Sequence, residues 1–156
     1  GSHFGVDGPH GVAPRSALLS MSKLLWWLVL YWVARFVHKN HAATLCIWDR
    51  YIYDVHIDPA RYRYGAPAWT AKVIAHLAPK PDLIVVLDAP AEIIQARKQE
   101  VTLEETERQR GAYLEFAENT KGSIVLNTAQ PLKFTERDGV QMVISAMQNK
   151  SKPRIR

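Results

Sequence analysis

The sequence predicts an α/β fold in which helices flank a parallel sheet. Three short apolar runs, residues 43–48, 83–87 and 123–126, have the length and β-branched content of buried strands. Segments with helical periodicity precede, separate and follow these runs. Helices that alternate with buried strands are typical of parallel sheets built from crossover connections. The 156 residues, 47% hydrophobic and 22% charged, suit one globular domain and argue against disorder.

The first half of the chain is predicted to hold two helices and one strand. Ser16 begins a helical pattern that runs to about residue 38. The strand over residues 43–48 ends at Asp49, and a loop rich in tyrosine, arginine and proline covers residues 51–67. A helix over residues 68–77 follows, closed by the prolines beyond it.

The second half is predicted to hold two strands and three helices. The strand over residues 83–87 is followed by a helix that carries Arg97, with Pro90 in its first turn. Thr102 and Glu105 form a capping-box pattern at the start of a helix that reaches residue 119. The strand over residues 123–126 and a helix over residues 140–147 complete the order. Ligands of such folds sit beyond the carboxyl ends of the strands. The residues there are Asp49, Arg50, Asp88, Asn127 and Thr128.

One domain is expected over residues 4–149. The opening Gly1-Ser2-His3 resembles the remnant of a cleaved expression tag. Residues 150–156 form a basic tail, which we interpret as a solvated chain end rather than a contact for nucleic acid or acidic lipid. The single cysteine, Cys46, excludes an intrachain disulfide, and we expect a buried thiol in a reducing cytoplasm. The six histidines show no metal-ligand spacing.

A strongly apolar run covers residues 24–34 and lies between Lys23 and Arg35. It is shorter than the roughly 20 residues that span a bilayer. A helix apolar on nearly every side belongs in a core, an oligomer interface or a membrane surface. We expect a homodimer interface along the helix from Leu24 to Val37, with peripheral membrane contact as the alternative.

Two groups of charged residues suggest phosphate chemistry. Asp49-Arg50-Tyr51 follows a predicted strand, where an aspartate can hold Mg²⁺ through water and an arginine can fork onto a phosphate. Arg97 lies on the helix after Asp88, and Arg108 and Arg110 follow it. Phosphoryl transfer needs such cations around a polyphosphate. A surface salt bridge in the first case and a solvated helix in the second are the competing interpretations.

The predicted strand is followed, in this order, by Asp-Arg-Tyr, an aromatic-rich loop, Pro79-Lys80-Pro81-Asp82-Leu83, Leu87-Asp88-Ala89-Pro90 and Arg97-x-x-Glu100. In this order of motifs the chain resembles the thymidylate kinase family. It is most similar to the thymidylate kinase-like proteins of bacterial surface-polysaccharide gene clusters. The resemblance runs from about Pro14 to Asn127. It implies a three-layer P-loop kinase-like fold, ATP and Mg²⁺ as cofactors, and a dimer through the helix of Trp26, Trp27 and Trp32.

The resemblance also implies roles for individual residues. Asp49, Arg50 and Arg97 are the expected catalytic residues, and Asp49 is the expected Mg²⁺ contact through water. The expected substrate-binding residues are Arg50, Tyr51, Tyr53, Arg61 and Arg63. The expected donor-phosphate-binding residues are Gly5, Asp7, Gly8, Arg97, Arg108 and Arg110. The implied reaction moves the γ-phosphoryl of ATP to a nucleoside monophosphate, and a sugar or lipid-linked acceptor stays open.

One part of the family pattern is missing. A P-loop continues into Gly-Lys-Ser/Thr, whose lysine and hydroxyl act on phosphate and Mg²⁺. Here Gly8 is followed by Pro9-His10-Gly11-Val12-Ala13-Pro14 instead. Either the natural polypeptide contains further residues around Gly8, which we favour, or the chain is a truncated pseudoenzyme. A catalytically inactive nucleotide-binding or scaffold protein is therefore the alternative function.

Overall fold

The computed structural model describes residues 12–39 and 45–151, without the side chains of residues 39, 150 and 151. The elements are α1 (Ala17–Lys39), α2 (Asp54–Ile57), α3 (Ala68–Leu77), β1 (Ile84–Asp88), α4 (Ala91–Arg97), α5 (Leu103–Asn119), β2 (Ser123–Asn127) and α6 (Leu132–Ser151). The protein is thus a mixed α/β chain with a parallel pair of strands. It divides into two compact units, Gly1–Lys80 and Pro81–Arg156.

In the first unit, α1 packs one of its faces against α3 and the tyrosine-rich segment. The buried core consists of Leu24, Ile52, Val55, Ala71, Ile74, Ala75 and Ala78. Half-buried aromatic rings surround this core, and the Trp27 and Tyr62 rings meet edge to face with their centroids 5.6 Å apart. The Trp32 indole donates a hydrogen bond of 3.0 Å to the Leu77 carbonyl oxygen. Aromatic packing therefore joins α1 to the rest of the unit.

The opposite face of α1, here called the outer face, is exposed. Its apolar side chains are Leu18, Leu19, Leu25, Trp26, Val29, Leu30, Val33, Phe36 and Val37. The segment Ala17–His38 is long and apolar enough to cross a membrane, by length and composition alone. This segment is longer than residues 24–34, from which a helix too short to span a bilayer was predicted, so that prediction was wrong about the apolar length. Its inner face, however, is occupied by the core of the unit.

The second unit is built on the parallel pair of β1 and β2. The register pairs Ile84 with Ser123 and, at the other end, Asp88 with Asn127. On β2, Leu126 is buried, and Gly139 of α6 packs close to it, since a Cβ there would lie 3.4 Å from Leu126 Cδ2. On the α5 side, Thr102 caps the helix by accepting a hydrogen bond from the Glu105 amide.

Most predicted elements are confirmed. The helix over residues 68–77 agrees to the residue, and the strands over 83–87 and 123–126 shift or extend by one residue. The last helix is longer than predicted, since it begins at Leu132. The short helix α2 was missed because it lies within the segment that turn-forming residues marked as loop.

The strand predicted over residues 43–48 is wrong for residues 45–48, which have no regular secondary structure; residues 43 and 44 lie outside the described part. A strand needs a partner for its backbone groups, and the sheet of the described residues consists of β1 and β2. Trp48 packs edge-on against Tyr31 instead, with centroids 5.0 Å apart. Cys46 is exposed, so the expectation of a buried thiol is also wrong.

Candidate functional site

Charged and polar groups converge at the carboxyl end of the β1–β2 pair in the second unit. The Thr128 amide and hydroxyl donate hydrogen bonds of 2.7 and 3.0 Å to the Asp88 carbonyl oxygen. Arg97, in the last turn of α4, donates from Nη2 to the Thr128 carbonyl oxygen at 2.6 Å. The chain turn after β2 therefore ties one arginine to the end of both strands.

Arg110 of α5 reaches the same edge through a two-pronged ion pair with Asp88. Its Nε and Nη2 lie 2.7 and 2.9 Å from the two carboxylate oxygens. This pairing raises the pKa of Arg110, first through the hydrogen bond with Asp88 and then through its charge. Asp88 thus offsets the charge of Arg110. Arg97, at the same edge, makes no ion pair within the described part of the chain.

Arg108 is not brought to this edge together with Arg110. It pairs with Glu105 one turn back on α5, with two contacts of 2.7 Å. Residues two apart on a helix do not face each other. The donor-phosphate group expected from the sequence is therefore divided, with Arg97 and Arg110 at the edge and Arg108 on the side of Glu105. Gly5, Asp7 and Gly8 lie outside the described residues.

In the first unit, Asp49 and Arg50 form an exposed bend, not the end of a strand as predicted. Arg50 has a φ of 79°, in the left-handed region that a side chain disfavours. Burial raises the pKa of Tyr62 to about 12; Asp54 adds to the rise and Arg50 opposes it. The guanidinium of Arg50 therefore acts near the Tyr62 hydroxyl. The backbone of Arg50 is held in a conformation that costs about 1–3 kcal/mol.

Tyr51 and Tyr53, proposed from the sequence as base-stacking residues, pack within the protein. The Tyr51 ring lies 4.3 Å from the Tyr31 ring and 5.3 Å from the Tyr53 ring, measured between centroids. The Tyr51 hydroxyl donates a hydrogen bond to the Pro79 carbonyl oxygen. Burial is the main cause that raises the pKa of both phenols. These contacts favour the packing interpretation for Tyr51.

Arg61 and Arg63 lie in the turn after α2. The Arg61 amide donates a hydrogen bond of 3.2 Å to the carboxylate of Asp58, which is almost fully buried. Arg63 has a φ of 51°, and its Nε donates 3.0 Å to the Ala13 carbonyl oxygen. Arg50 and Arg63 are the two non-glycine residues with positive φ in the described ranges. Both were named as substrate-binding residues from the sequence.

Sequence reasoning missed the Asp88–Arg110 ion pair and the two hydrogen bonds of Thr128. Asp88 and Thr128 were named only as strand ends, and the partners are 22 and 40 residues apart in sequence. The only sequence signal for Asp88 and Thr128 was their position after an apolar run predicted as a strand. Within residues 12–39 and 45–151, no group of three or more histidine, cysteine, aspartate or glutamate side chains could hold a metal ion.

No protein-family model matches the chain, and neither the curated proteins nor the solved structures contain a match.

Proposed function

We propose that the chain is a nucleotide kinase-like phosphotransferase that moves the γ-phosphoryl of ATP to a nucleoside monophosphate or a related small acceptor. The observation that carries this proposal is the convergence of Asp88, Arg97, Arg110 and Thr128 at the carboxyl end of two parallel strands. Ligands of open α/β sheets bind at that end. An arginine there stabilises the charge that a transferring phosphoryl group carries.

We further propose the three-layer P-loop kinase-like arrangement for this fold. Alternate residues of a strand face opposite sides of a sheet. Asp88 is paired with Asn127, the residue after Leu126, so the side chains of Asp88 and Leu126 face opposite sides. Arg110 of α5 binds Asp88, whereas Gly139 of α6 packs against Leu126. Helices on both faces of a parallel pair support the three-layer arrangement. Leu87 is 65% exposed, which suits a larger sheet assembly than these two strands provide.

In the proposed reaction, Arg97 binds donor phosphate and Arg50 grips the acceptor phosphate. The left-handed backbone at Arg50 supports a functional role, because strained residues concentrate at binding sites. Arg108 and Arg110 are proposed to assist at the donor after their carboxylate partners exchange for phosphate. Arg61, Arg63, Tyr51 and Tyr53 are proposed to line the acceptor side.

Mg²⁺ fits the proposal only in part. Proteins often bind Mg²⁺ through one or two carboxylates together with substrate phosphates. Asp49 offers one exposed carboxylate, so it would hold the ion through water once a nucleotide is bound. Bound Mg²⁺ would neutralise charge on the transferring phosphoryl group.

The alternative is a catalytically inactive nucleotide-binding or scaffold protein of the same fold. Two observations favour it: the sequence after Gly8 lacks Gly-Lys-Ser/Thr, and Asp88 already holds Arg110 in a two-pronged ion pair. Such a protein would bind nucleotide without phosphoryl transfer. A cytoplasmic location is proposed for either function.

The deciding experiment measures ADP release from ATP and Mg²⁺ with a panel of nucleoside monophosphates, thymidylate first. Arg50→Ala and Arg97→Ala should each reduce turnover at least about a hundredfold. Arg137→Ala is the matched control, because Arg137 is exposed and paired with its neighbour Asp138. No turnover with any acceptor would refute the enzyme, and a rise in melting temperature with ATP alone would then support the alternative.

We also propose a homodimer through the outer face of α1, continuing the expectation for the helix from Leu24 to Val37. The nine apolar side chains of that face are on average a little over half exposed. Full burial of one such side chain contributes about 1.5–3 kcal/mol, so each copy could gain roughly 8–16 kcal/mol. Association costs about 4–15 kcal/mol. The gain from two copies exceeds that cost, and peripheral membrane contact is the competing use of the face.

A further inference from the structure

Two cationic residues of the first unit, Arg15 and Arg63, lie on segments that hydrogen bonds hold together. The Arg15 amide donates a hydrogen bond of 2.9 Å to the Arg63 carbonyl oxygen, and Arg63 Nε donates one of 3.0 Å to the Ala13 carbonyl oxygen. Arg63 itself ends a tight turn, in which its amide bonds the Ala60 carbonyl oxygen at 2.9 Å. The segment before α1 and the turn after α2 therefore form one fixed structure.

Gly65 and Ser20 complete this arrangement. The Gly65 amide donates 3.0 Å to the Ser20 hydroxyl, which lies on the buried face of α1. A Cβ on Gly65 would stand 2.0 Å from the Arg15 carbonyl oxygen, so only glycine allows the two segments to meet so closely. The close approach sets the position of Arg15 relative to α1, where Lys23 lies one turn beyond Ser20.

The electrostatics of Lys23 show that these charges act on one another. Its ammonium group lies 4.7 Å from the centroid of the Trp27 ring. Burial lowers the pKa of Lys23 most, and the positive charges of Arg15 and then Arg63 lower it further. No ion pair joins any of the three side chains to a carboxylate in the described part of the chain. Lys23 therefore feels the repulsion of both arginines, and none of the three side chains has an anionic partner in the described part of the chain.

We propose that Arg15, Lys23 and Arg63 bind the phosphate group of a phosphomonoester. A dianion would relieve the repulsion, and guanidinium forks beside an ammonium point charge suit phosphate oxygens. This deepens the proposed function, since Arg63 was assigned there to the acceptor, and it adds Arg15 and Lys23. The site requires only that the ligand carry a phosphate, whose source is either a soluble phosphomonoester or a lipid headgroup.

Binding of inorganic phosphate and of thymidine monophosphate to the full chain, followed by ³¹P NMR without ATP, tests the site. Arg15→Gln and Lys23→Gln should each weaken binding about ten- to a hundredfold, the range for a lost hydrogen bond to a charged group. Arg15→Gln removes no structural contact described above, because Arg15 bonds through its backbone, whereas Lys23→Gln also removes the contact of its ammonium group with the Trp27 ring. Lys72→Gln is the control: it removes one exposed charge from α3 and should change affinity less than about twofold.

Sedimentation with phosphatidylcholine vesicles that contain phosphatidate distinguishes the two sources. Binding to these vesicles alone, lost in Lys23→Gln and kept in Lys72→Gln, supports the site with a lipid phosphate. Binding in neither assay, or equal weakening by all three substitutions, overturns it. A chain that binds phosphate here but transfers no phosphoryl group refutes the proposed function and leaves the site standing.

Discussion

The close contact between Gly65 and Arg15 makes Gly65→Ala the most informative substitution in the first unit. The added Cβ would lie 2.0 Å from the Arg15 carbonyl oxygen. Carbon and carbonyl oxygen approach to about 3.3 Å even in their closest favourable contacts. The two segments must therefore separate by about 1.3 Å, because both neighbouring atoms belong to the backbone.

That separation breaks two hydrogen bonds, from the Gly65 amide to Ser20 Oγ and from the Arg15 amide to the Arg63 carbonyl oxygen. Each contributes a net 0.5–1.5 kcal/mol, and a buried hydroxyl left without its partner adds about 1–3 kcal/mol. Ser20 is only 3% exposed, so this second cost applies. We expect the first unit to lose about 2–6 kcal/mol of unfolding free energy.

Urea unfolding followed by tryptophan fluorescence measures this loss in the relevant part of the chain. All five tryptophans lie within Gly1–Lys80, so their emission reports on the first unit. Gly111→Ala is the control, because its added Cβ meets nothing within 4 Å. In the interior of a helix such as α5, alanine is more stable than glycine by up to about 1 kcal/mol. A Gly65→Ala midpoint equal to that of the wild type would refute the proposed close approach.

Burial raises the pKa of Tyr31 and of Tyr62 to about 12 from an ordinary 10.0, so the stabilisation present below about pH 10 is lost between about pH 10 and 12. Tryptophan fluorescence should show this alkaline unfolding, and Tyr62→Phe should make it less steep. Trp26→Lys on the outer face of α1 should convert a dimer to a monomer in analytical ultracentrifugation, whereas Trp69→Lys, on an equally exposed tryptophan of α3, should not. Thr102→Ala removes the cap of α5 and should lower stability by about 1 kcal/mol, read by circular dichroism.

A pH profile that Tyr62→Phe leaves unchanged would contradict the burial of that phenol. A wild-type chain that sediments as a monomer at every concentration would contradict the dimer. Equal stability of Thr102→Ala and wild type would show that the cap contributes nothing.

Local patterns were sufficient for most of the helices and for β1 and β2, but they missed α2 and the first turns of α6. The helix α3 agrees to the residue because Pro67 and Pro79 restrict the backbone just outside its ends. The apolar run at residues 45–48 failed as a strand because composition cannot supply a hydrogen-bonding partner. Ile47 is 78% exposed there, which composition alone did not indicate.

The candidate site was foreseen only in outline. The rule that ligands sit at carboxyl ends of strands identified Asp88, yet it could not show that Arg110 returns to that carboxylate from 22 residues away. The left-handed backbone at Arg50 and Arg63 was equally invisible, since neither residue type signals it. Both features depend on tertiary packing, which periodicity does not encode.

The long separation between β1 and β2 has a consequence for how the second unit folds. Paired residues such as Ile84 and Ser123 are 39 positions apart, the difference between their residue numbers. The entropy of closing that loop must be lost before any ladder hydrogen bond forms, which makes such pairing slow. Helices α4 and α5 occupy most of the loop and shorten it when they form. We therefore expect the rate of sheet formation to follow the stability of α5, so that Gly111→Ala accelerates refolding of a strand pair it does not touch.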